Sequence, residues 1–336
     1  MKAFEYASPR SLRQAVELLA ERPGRSEVLA GGTDLLALMK DGVRSPDRVV
    51  SVRAVPELQG ISFEPGEGLR VGGAVTLTDL AAHPDLRRHY PAAAWAAAHA
   101  AGPQIRNLGT VGGNLCQRPR CWYYRLGYGL LPRRNGESMI RSGDNRYHAI
   151  LGNAGDALFV APSTLAPILI ALGGRVALAG PEGEREVALA DFYRTPASED
   201  EREHDLAEGE VVTALRLPPP AAGVRTASYE VRPGKSLDWS LATAAVALAM
   251  DGERVRQATV VLGQVAPTPW RAEGAEAALA GERVTDEVAA RAAEAAVAGA
   301  EPLSMNRYKV QLARAAVRRA LLRAASGAGG AGREEG

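Results

Sequence analysis

The sequence predicts an α+β protein, and three observations carry that expectation. A compact β–α–β pattern fills roughly the first sixty residues. From about Ala227 an alternating stretch and an apolar segment meet a hairpin signal at Asp251-Gly252. Three helical runs then follow, near 272–280, 285–299 and 306–324.

Each element has its own justification. Ser8-Pro9-Arg10-Ser11 precedes a run with Leu12, Ala15, Val16, Leu18 and Leu19 on one face. Serine at an N-cap and proline in a first turn are helix-start signals, and Gly24 is expected to end the helix. Glu27-Val28-Leu29-Ala30 reads as a short buried strand that stops at Gly31-Gly32-Thr33-Asp34. A helix is expected over Leu35 to Lys40, and a strand at Val49-Val50-Ser51-Val52. From Ile61 to about Leu172 the pattern is mixed: a strand over Leu69–Val75, then a helix capped by Thr78-Asp79. The alanine-rich stretch 92–101 is helical by propensity and ends at Gly102-Pro103. Gln104 to Leu115 is too glycine-rich for an ordinary strand and reads as backbone bent to meet something. Further on, Tyr229 to Arg232 alternates, Ser240 to Met250 is apolar, and Gln257 to Leu262 returns as a strand. The Gly/Ala/Glu tail 326–336 cannot bury a core and is expected to be disordered.

Composition removes several functions. Forty basic and 39 acidic residues in 336 leave a net charge of +1, which argues against a general nucleic-acid or anionic-membrane binder. Met1 to Tyr6 lacks a secretory apolar core, and no stretch approaches eighteen uninterrupted apolar residues, so no membrane span and a cytoplasmic location are expected. Two cysteines exclude a disulfide framework and any metal site needing four cysteines from this chain. The charge is unevenly spread. Residues 103–148 carry eight arginines against Glu137 and Asp144, a local +6, whereas residues 181–210 carry a local −8. The acidic run reads as a solvated loop and strand edge. The basic stretch reads as either a docking surface or a loop around an anionic ligand.

Two glycine-rich elements point to a ligand: Ala30-Gly31-Gly32-Thr33-Asp34 and Thr110-Val111-Gly112-Gly113-Asn114. Residues without Cβ let backbone N–H groups approach phosphate oxygens, and the first loop also opens a helix, whose N-terminus favours anions. Thr33 and Thr110 add hydroxyls. Neither loop has the Rossmann or P-loop spacing. Read singly, each is better taken as a tight turn; the two together equally fit a pair of loops gripping a diphosphate from both sides.

Leu29-Ala30-Gly31-Gly32-Thr33-Asp34-Leu35-Leu36 and Gln104-Ile105-Arg106-Asn107-Leu108-Gly109-Thr110-Val111-Gly112-Gly113-Asn114-Leu115 together resemble the FAD-binding medium subunit of the xanthine dehydrogenase family of molybdenum hydroxylases. The resemblance continues at Val261–Arg271 and Asn306–Val310 and covers the chain to about 325. It implies an FAD-binding fold of the vanillyl-alcohol oxidase and p-cresol methylhydroxylase type. Two subdomains (1–58 and 59–222, with an insertion at about 116–157) would precede an α+β flavoprotein C-terminal domain at 223–325. It implies that Leu29 to Leu35 wrap the diphosphate of FAD and that Thr110 to Asn114 form the second loop. Thr164 stands where the family often has an FAD-contacting Asp, keeping a donor without the charge. Val212 stands at an apolar flavin contact. The family's lysine after the tyrosine of the Tyr229 segment is Glu230 here, which leaves a nearby cation to Lys235. His148 is the one histidine in a family-like motif, placing it near the flavin edge.

The segment around Cys116 and Cys121, with Asn145 to Gly152, resembles the insertion-bearing subgroup that includes the flavin subunits of aldehyde oxidoreductase and 4-hydroxybenzoyl-CoA reductase. Relatives there ligate a [4Fe–4S] cluster with four cysteines. Cys121 matches the first, and the other positions fall near Leu130, Ser138 and Ala157, so two free, mostly buried thiols and no metal are expected. The resemblance implies an electron-transfer subunit with FAD as cofactor and no side chain acting as general acid or base. Its partners would be a large molybdenum-cofactor chain and a small [2Fe–2S] chain, in a heterotrimer or a dimer of heterotrimers. The acceptor would be NAD, O₂ or a quinone. A flavin-free scaffold subunit and a stand-alone FAD oxidoreductase are the alternatives.

Overall fold

A computed structural model describes residues 1–234 and 237–327. Lys235 and residues 328–336 lie outside the described residues, and with them most of the tail expected to be disordered. Ser326 and Gly327, counted with that tail, instead form the turn that closes the last helix.

Three larger sheets carry the chain, and a two-stranded ribbon, Arg133–Arg134 with Glu137–Ser138, lies in the insertion. Strands Glu5–Ala7, Arg48–Ser51 and Ser26–Leu29 form a small parallel sheet with Arg48–Ser51 in the middle. The central strand is wholly buried, whereas Ser26–Leu29, expected to be buried, is only half-buried because one side borders a cavity. Ser11 caps the helix Leu12–Ala20, accepting from Gln14 N–H, so Pro9 lies before the helix and not in its first turn, and the helix stops at Ala20, short of Gly24. Leu35–Lys40 is helical at the expected bounds.

The second sheet is antiparallel, in the order Ile61–Glu64, Gly68–Gly72, Val211–Leu217, Arg175–Gly180, Gly183–Ala188. Strand Gly68–Gly72 ends before Val75, because Gly73 and Ala74 turn to meet Thr213 and Leu58. The next helix, Leu77–Ala82, is capped by Thr76 rather than Thr78: the Thr76 hydroxyl accepts Asp79 N–H and donates to the Asp79 carboxylate at 2.6 Å. Helix Pro91–His99 confirms the alanine-rich reading.

The third sheet runs Val224–Val231, Ala242–Asp251, Arg254–Gly263, Trp270–Arg271, all antiparallel. Its second strand is apolar from Ala244 to Met250, and both faces are covered over Ala244–Leu248. Ala244, Val246 and Leu248 pack with alanines of helices Asp286–Ala296 and Tyr308–Ala325, while Ala245 and Ala247 face the main core with Leu165 and Ile168. Alanine lets the helices lie close to the sheet.

The acidic run is less solvated than expected. Glu203 is buried against Arg118, Glu199 accepts the backbone N–H groups of Leu130 and Leu131, and Asp205 and Glu210 both clamp Arg185. The arginine-rich insertion thus docks on the acid-rich segment. Its other stem joins the C-terminal domain. Asn145 bonds Ser304 Oγ and Met305 N–H, Asn306 donates to the carbonyls of His148 and Ala149, and buried Lys309 donates to the carbonyls of Tyr147, His148 and Gln264 at 3.2, 3.0 and 2.7 Å.

Candidate functional site

The two glycine loops meet back to back. A Cβ on Gly31 would overlap the Leu108 carbonyl oxygen, so only glycine lets the first loop touch the approach to the second. Gly32 adopts φ +74°, which turns the chain into the helix Leu35–Lys40. In the second loop Thr110 is the N-cap of a one-turn helix, Val111–Leu115, its hydroxyl accepting Gly113 N–H at 3.0 Å. That leaves the hydroxyl proton available to an acceptor. The stretch read as bent backbone is therefore two short helices, Pro103–Arg106 and Val111–Leu115, with the bend between them.

A cavity lies on each side of the joined loops. One, of about 190 Å³, is lined by Ala30 to Leu35, Thr110, Gly112, Gly113, Val212 and three cations, Arg44, Arg118 and Arg202. The other, of about 220 Å³, is lined by Thr33, Asp34, Gly109, Thr110, Gly113, Asn114, Thr164 and Arg232, and closed by Leu237 to Ser240. Thr33, Asp34, Thr110 and Gly113 belong to both walls. Such a passage suits a molecule with a ring system at each end and an anionic linker at the constriction.

Most of the residues singled out from sequence converge here. Asn114 ties Thr164 to the second loop: its Nδ2 donates to Thr164 Oγ1 at 3.2 Å, and its Oδ1 accepts from Ser163 Oγ at 2.8 Å. Leu29 and Val111 line neither cavity; Val111 is fully buried in the main core. Val212 lines the first cavity and Thr164 the second. Asp34 turns toward the insertion, accepting Arg118 N–H at 2.9 Å and the Arg125 guanidinium at 2.7 Å. His148 lines neither cavity. It packs against Trp122 and Tyr123 with Nε2 3.2 Å from Cys121 Sγ, and burial, then Lys309, hold it neutral with a pKa near 4.

Two groups were missed. Arg232 supplies a cation to the second cavity, paired with buried Glu230 at 2.6 Å, while Ser240 Oγ donates to the same carboxylate. The signal was in the sequence: Glu230 replaces the expected cation and stands two residues from an arginine on the same face of a strand. The arginines of the first cavity come from three separate segments, a convergence that no local pattern reveals.

Cys121, Leu130 and Ala157 do come together, in an apolar cluster with Leu38, Tyr124, Leu131 and Phe159. One thiol among hydrocarbon does not fit an iron–sulfur cluster, which takes four thiolates. Burial raises the thiol of Cys116 to about 12 and that of Cys121 to about 11, so both stay protonated at neutral pH, and both are free.

Comparison with known proteins agrees with this geometry. Residues 2–220 match the family of the FAD binding domain in molybdopterin dehydrogenase, and residues 227–324 match the CO dehydrogenase flavoprotein C-terminal domain. The chain is 34% identical to the aldehyde oxidoreductase FAD-binding subunit PaoB of Escherichia coli K12, over 94% of this chain and 96% of that one. It is 32% identical to the carbon monoxide dehydrogenase medium chain of Hydrogenophaga pseudoflava, over 95% and 96% of the two chains. The fold superposes on a chain of the solved CO dehydrogenase from Hydrogenophaga pseudoflava with a TM-score of 0.77 at 31% identity, covering 97% of this chain and 98% of that one. A chain of quinoline 2-oxidoreductase from Pseudomonas putida 86 gives 0.75 at 30% identity, covering 98% and 99%. The chain belongs to the FAD-binding medium subunits of the xanthine dehydrogenase and CO dehydrogenase type of molybdenum hydroxylases.

Proposed function

We propose that this chain is the electron-transfer subunit of a molybdenum hydroxylase assembly, receiving electrons from the [2Fe–2S] clusters of a small partner and delivering them to an acceptor. The observation that carries the reading is the pair of touching glycine loops with a cavity on either side. When bound, FAD supplies the electron storage, and the protein supplies position and charge. The backbone of Gly31, Gly32, Gly112 and Gly113, with the hydroxyls of Thr33 and Thr110, cradles the diphosphate. Arg44, Arg118 and Arg202 offset its charge. The isoalloxazine ring takes the cavity of Asn114, Thr164 and Arg232, and Val212 contacts the adenine end.

A large molybdenum-cofactor chain carries the substrate chemistry, and the assembly is a heterotrimer or a dimer of heterotrimers in the cytoplasm. Among the described residues no helix is long and apolar enough to cross a membrane. The subdomains divide near 58/59 and 222/223. The insertion holds an apolar plug in place of a metal site.

Purification of the chain tests this. A yellow protein with about one FAD is expected, its flavin reduced by substrate only when both partners are added. A colourless protein would favour a scaffold role, and reduction by substrate without partners would favour a stand-alone oxidoreductase. Iron analysis of the same sample is expected to stay well below one iron per chain, and about four would overturn the plug.

A further inference from the structure

A third cavity, of about 350 Å³, lies between the insertion and the C-terminal domain. It adjoins the cavity assigned to the isoalloxazine, because Arg120, Asp238, Trp239 and Ser240 line both. Its walls are aromatic: Trp122, Tyr147, Phe159 and Trp239. The Arg120 guanidinium stacks 4.6 Å from the centre of the Trp239 ring and forms the partition between the two spaces. Among the described residues its ion pair with Asp34 is a long one, at 3.7 Å.

Polar groups in this cavity divide into spent and available. Lys309 spends its three protons on backbone carbonyls, and Gln264 is engaged at both ends of its amide by Thr243 and Ser163. His148 is spent as well. Its Nε2 lies 3.2 Å from Cys121 Sγ, and its Nδ1 is shut off from the open space, with the Asn145 carbonyl as its neighbour. The cavity thus offers flat apolar walls with hydrogen-bond donors from the Arg120 guanidinium.

We propose that this cavity is a second ligand site, next to the flavin and reached past the Arg120–Trp239 stack, that takes a quinone-class electron acceptor of one or two fused rings. The volume is at the small end of the range for small-molecule sites. Stacking walls suit a planar ring, and donors suit carbonyl oxygens. No glycine loop lines the space, so it lacks the cradle that a second dinucleotide would need. With FAD bound next door the step would balance: the anionic reduced flavin would give up two electrons and one proton, solvent would give the second proton, and the quinone would become a hydroquinone with two new O–H bonds while the flavin returned to its oxidised form.

This proposal rests on the flavin reading above, and its test separates the two. The probe is menadione, added to the full purified chain and followed by quenching of tryptophan fluorescence and by reoxidation of dithionite-reduced flavin. Val160, which lines this cavity alone, is replaced in Val160→Phe to fill it, and Tyr147→Ala removes a half-exposed wall. Each variant is expected to weaken menadione binding at least tenfold and to slow reoxidation by menadione. Flavin content and reoxidation by O₂ should be unchanged. Equal menadione affinity in both variants, or no saturable binding to the flavin-loaded wild type, would overturn the proposal and leave the flavin reading intact. A colourless chain that still binds menadione, and loses it in Val160→Phe, would sink the flavin reading and keep the cavity.

Discussion

Arg118 Nε lies 2.5 Å from Glu203 Oε1, in a setting where the two side chains are only 15% and 3% exposed. The pair joins the most basic stretch of the chain to the most acidic one. Burial pushes the Glu203 carboxyl up, but Arg118, then His204, pull it down, and the balance lies below the ordinary carboxylate range. The acid is therefore ionised, and its charge is answered by the arginine that also lines the cavity proposed for the diphosphate.

Removing one partner of a buried pair leaves an unanswered charge, a loss of about 3–5 kcal/mol. Glu203→Leu is expected to lower the urea midpoint by that order and to weaken FAD retention. Arg118→Met with Glu203→Leu should recover part of the stability but not the FAD affinity. Equal stability losses in single and double variants would contradict this.

Gly31→Ala should separate the loops, because the added methyl overlaps the Leu108 carbonyl. The expected result is a folded chain that has lost most of its absorbance near 450 nm. Gly66→Ala, at an exposed position with open space around it, should keep its full flavin content.

Arg232, with Arg120, is one of two cations lining the cavity assigned to the flavin ring, and Glu230 holds it there. A nearby positive charge favours the anionic reduced flavin. Arg232→Met should shift the flavin midpoint potential negative by roughly tens of millivolts, the order that a change of about 1 kcal/mol gives in a two-electron couple. Spectroelectrochemistry measures it, and an unchanged or positive shift would remove Arg232 from the ring's surroundings.

His204 is enclosed by the rings of Phe192 and Tyr193, and burial lowers its pKa from 6.5 to about 4; His148 is lowered likewise. Between pH 6.5 and 4 the unfolded chain binds protons that the folded chain refuses. Stability present above about pH 6.5 is therefore lost as the pH falls through that window, by at most about 3 kcal/mol per histidine. Urea midpoints measured across this range should fall, and His204→Phe should flatten the curve. A curve of unchanged steepness in that variant would assign the loss elsewhere.

The sequence made local features legible and long-range pairing illegible. Ser11, the helix Leu35–Lys40 and the hairpin at Asp251-Gly252 follow from neighbours within one turn of chain. Strand Glu5–Ala7 was not legible, because three residues carry no periodicity and only pairing with Arg48–Val50 defines them. The cap was placed two residues late because Thr78 is also a good cap; Thr76 wins through the position of Asp79. The glycine loops announced a ligand, but their contact depends on Leu108 meeting Gly31 across distant sequence. The acidic run looked solvated because nothing local shows that Glu199 and Glu203 face an insertion some seventy residues earlier.

The insertion is held at both stems. Asp34 takes Arg118 and Arg125 at one end, and Asn306 with Lys309 takes the backbone of 147–149 at the other. It is thus a tether fastened to the first glycine loop at one stem and to the C-terminal domain at the other. A wide hinge motion between the first subdomain and the C-terminal domain would have to break one stem. We infer that FAD release from the proposed site requires one stem to unfasten locally, so its exchange should be slow even where its equilibrium affinity is modest.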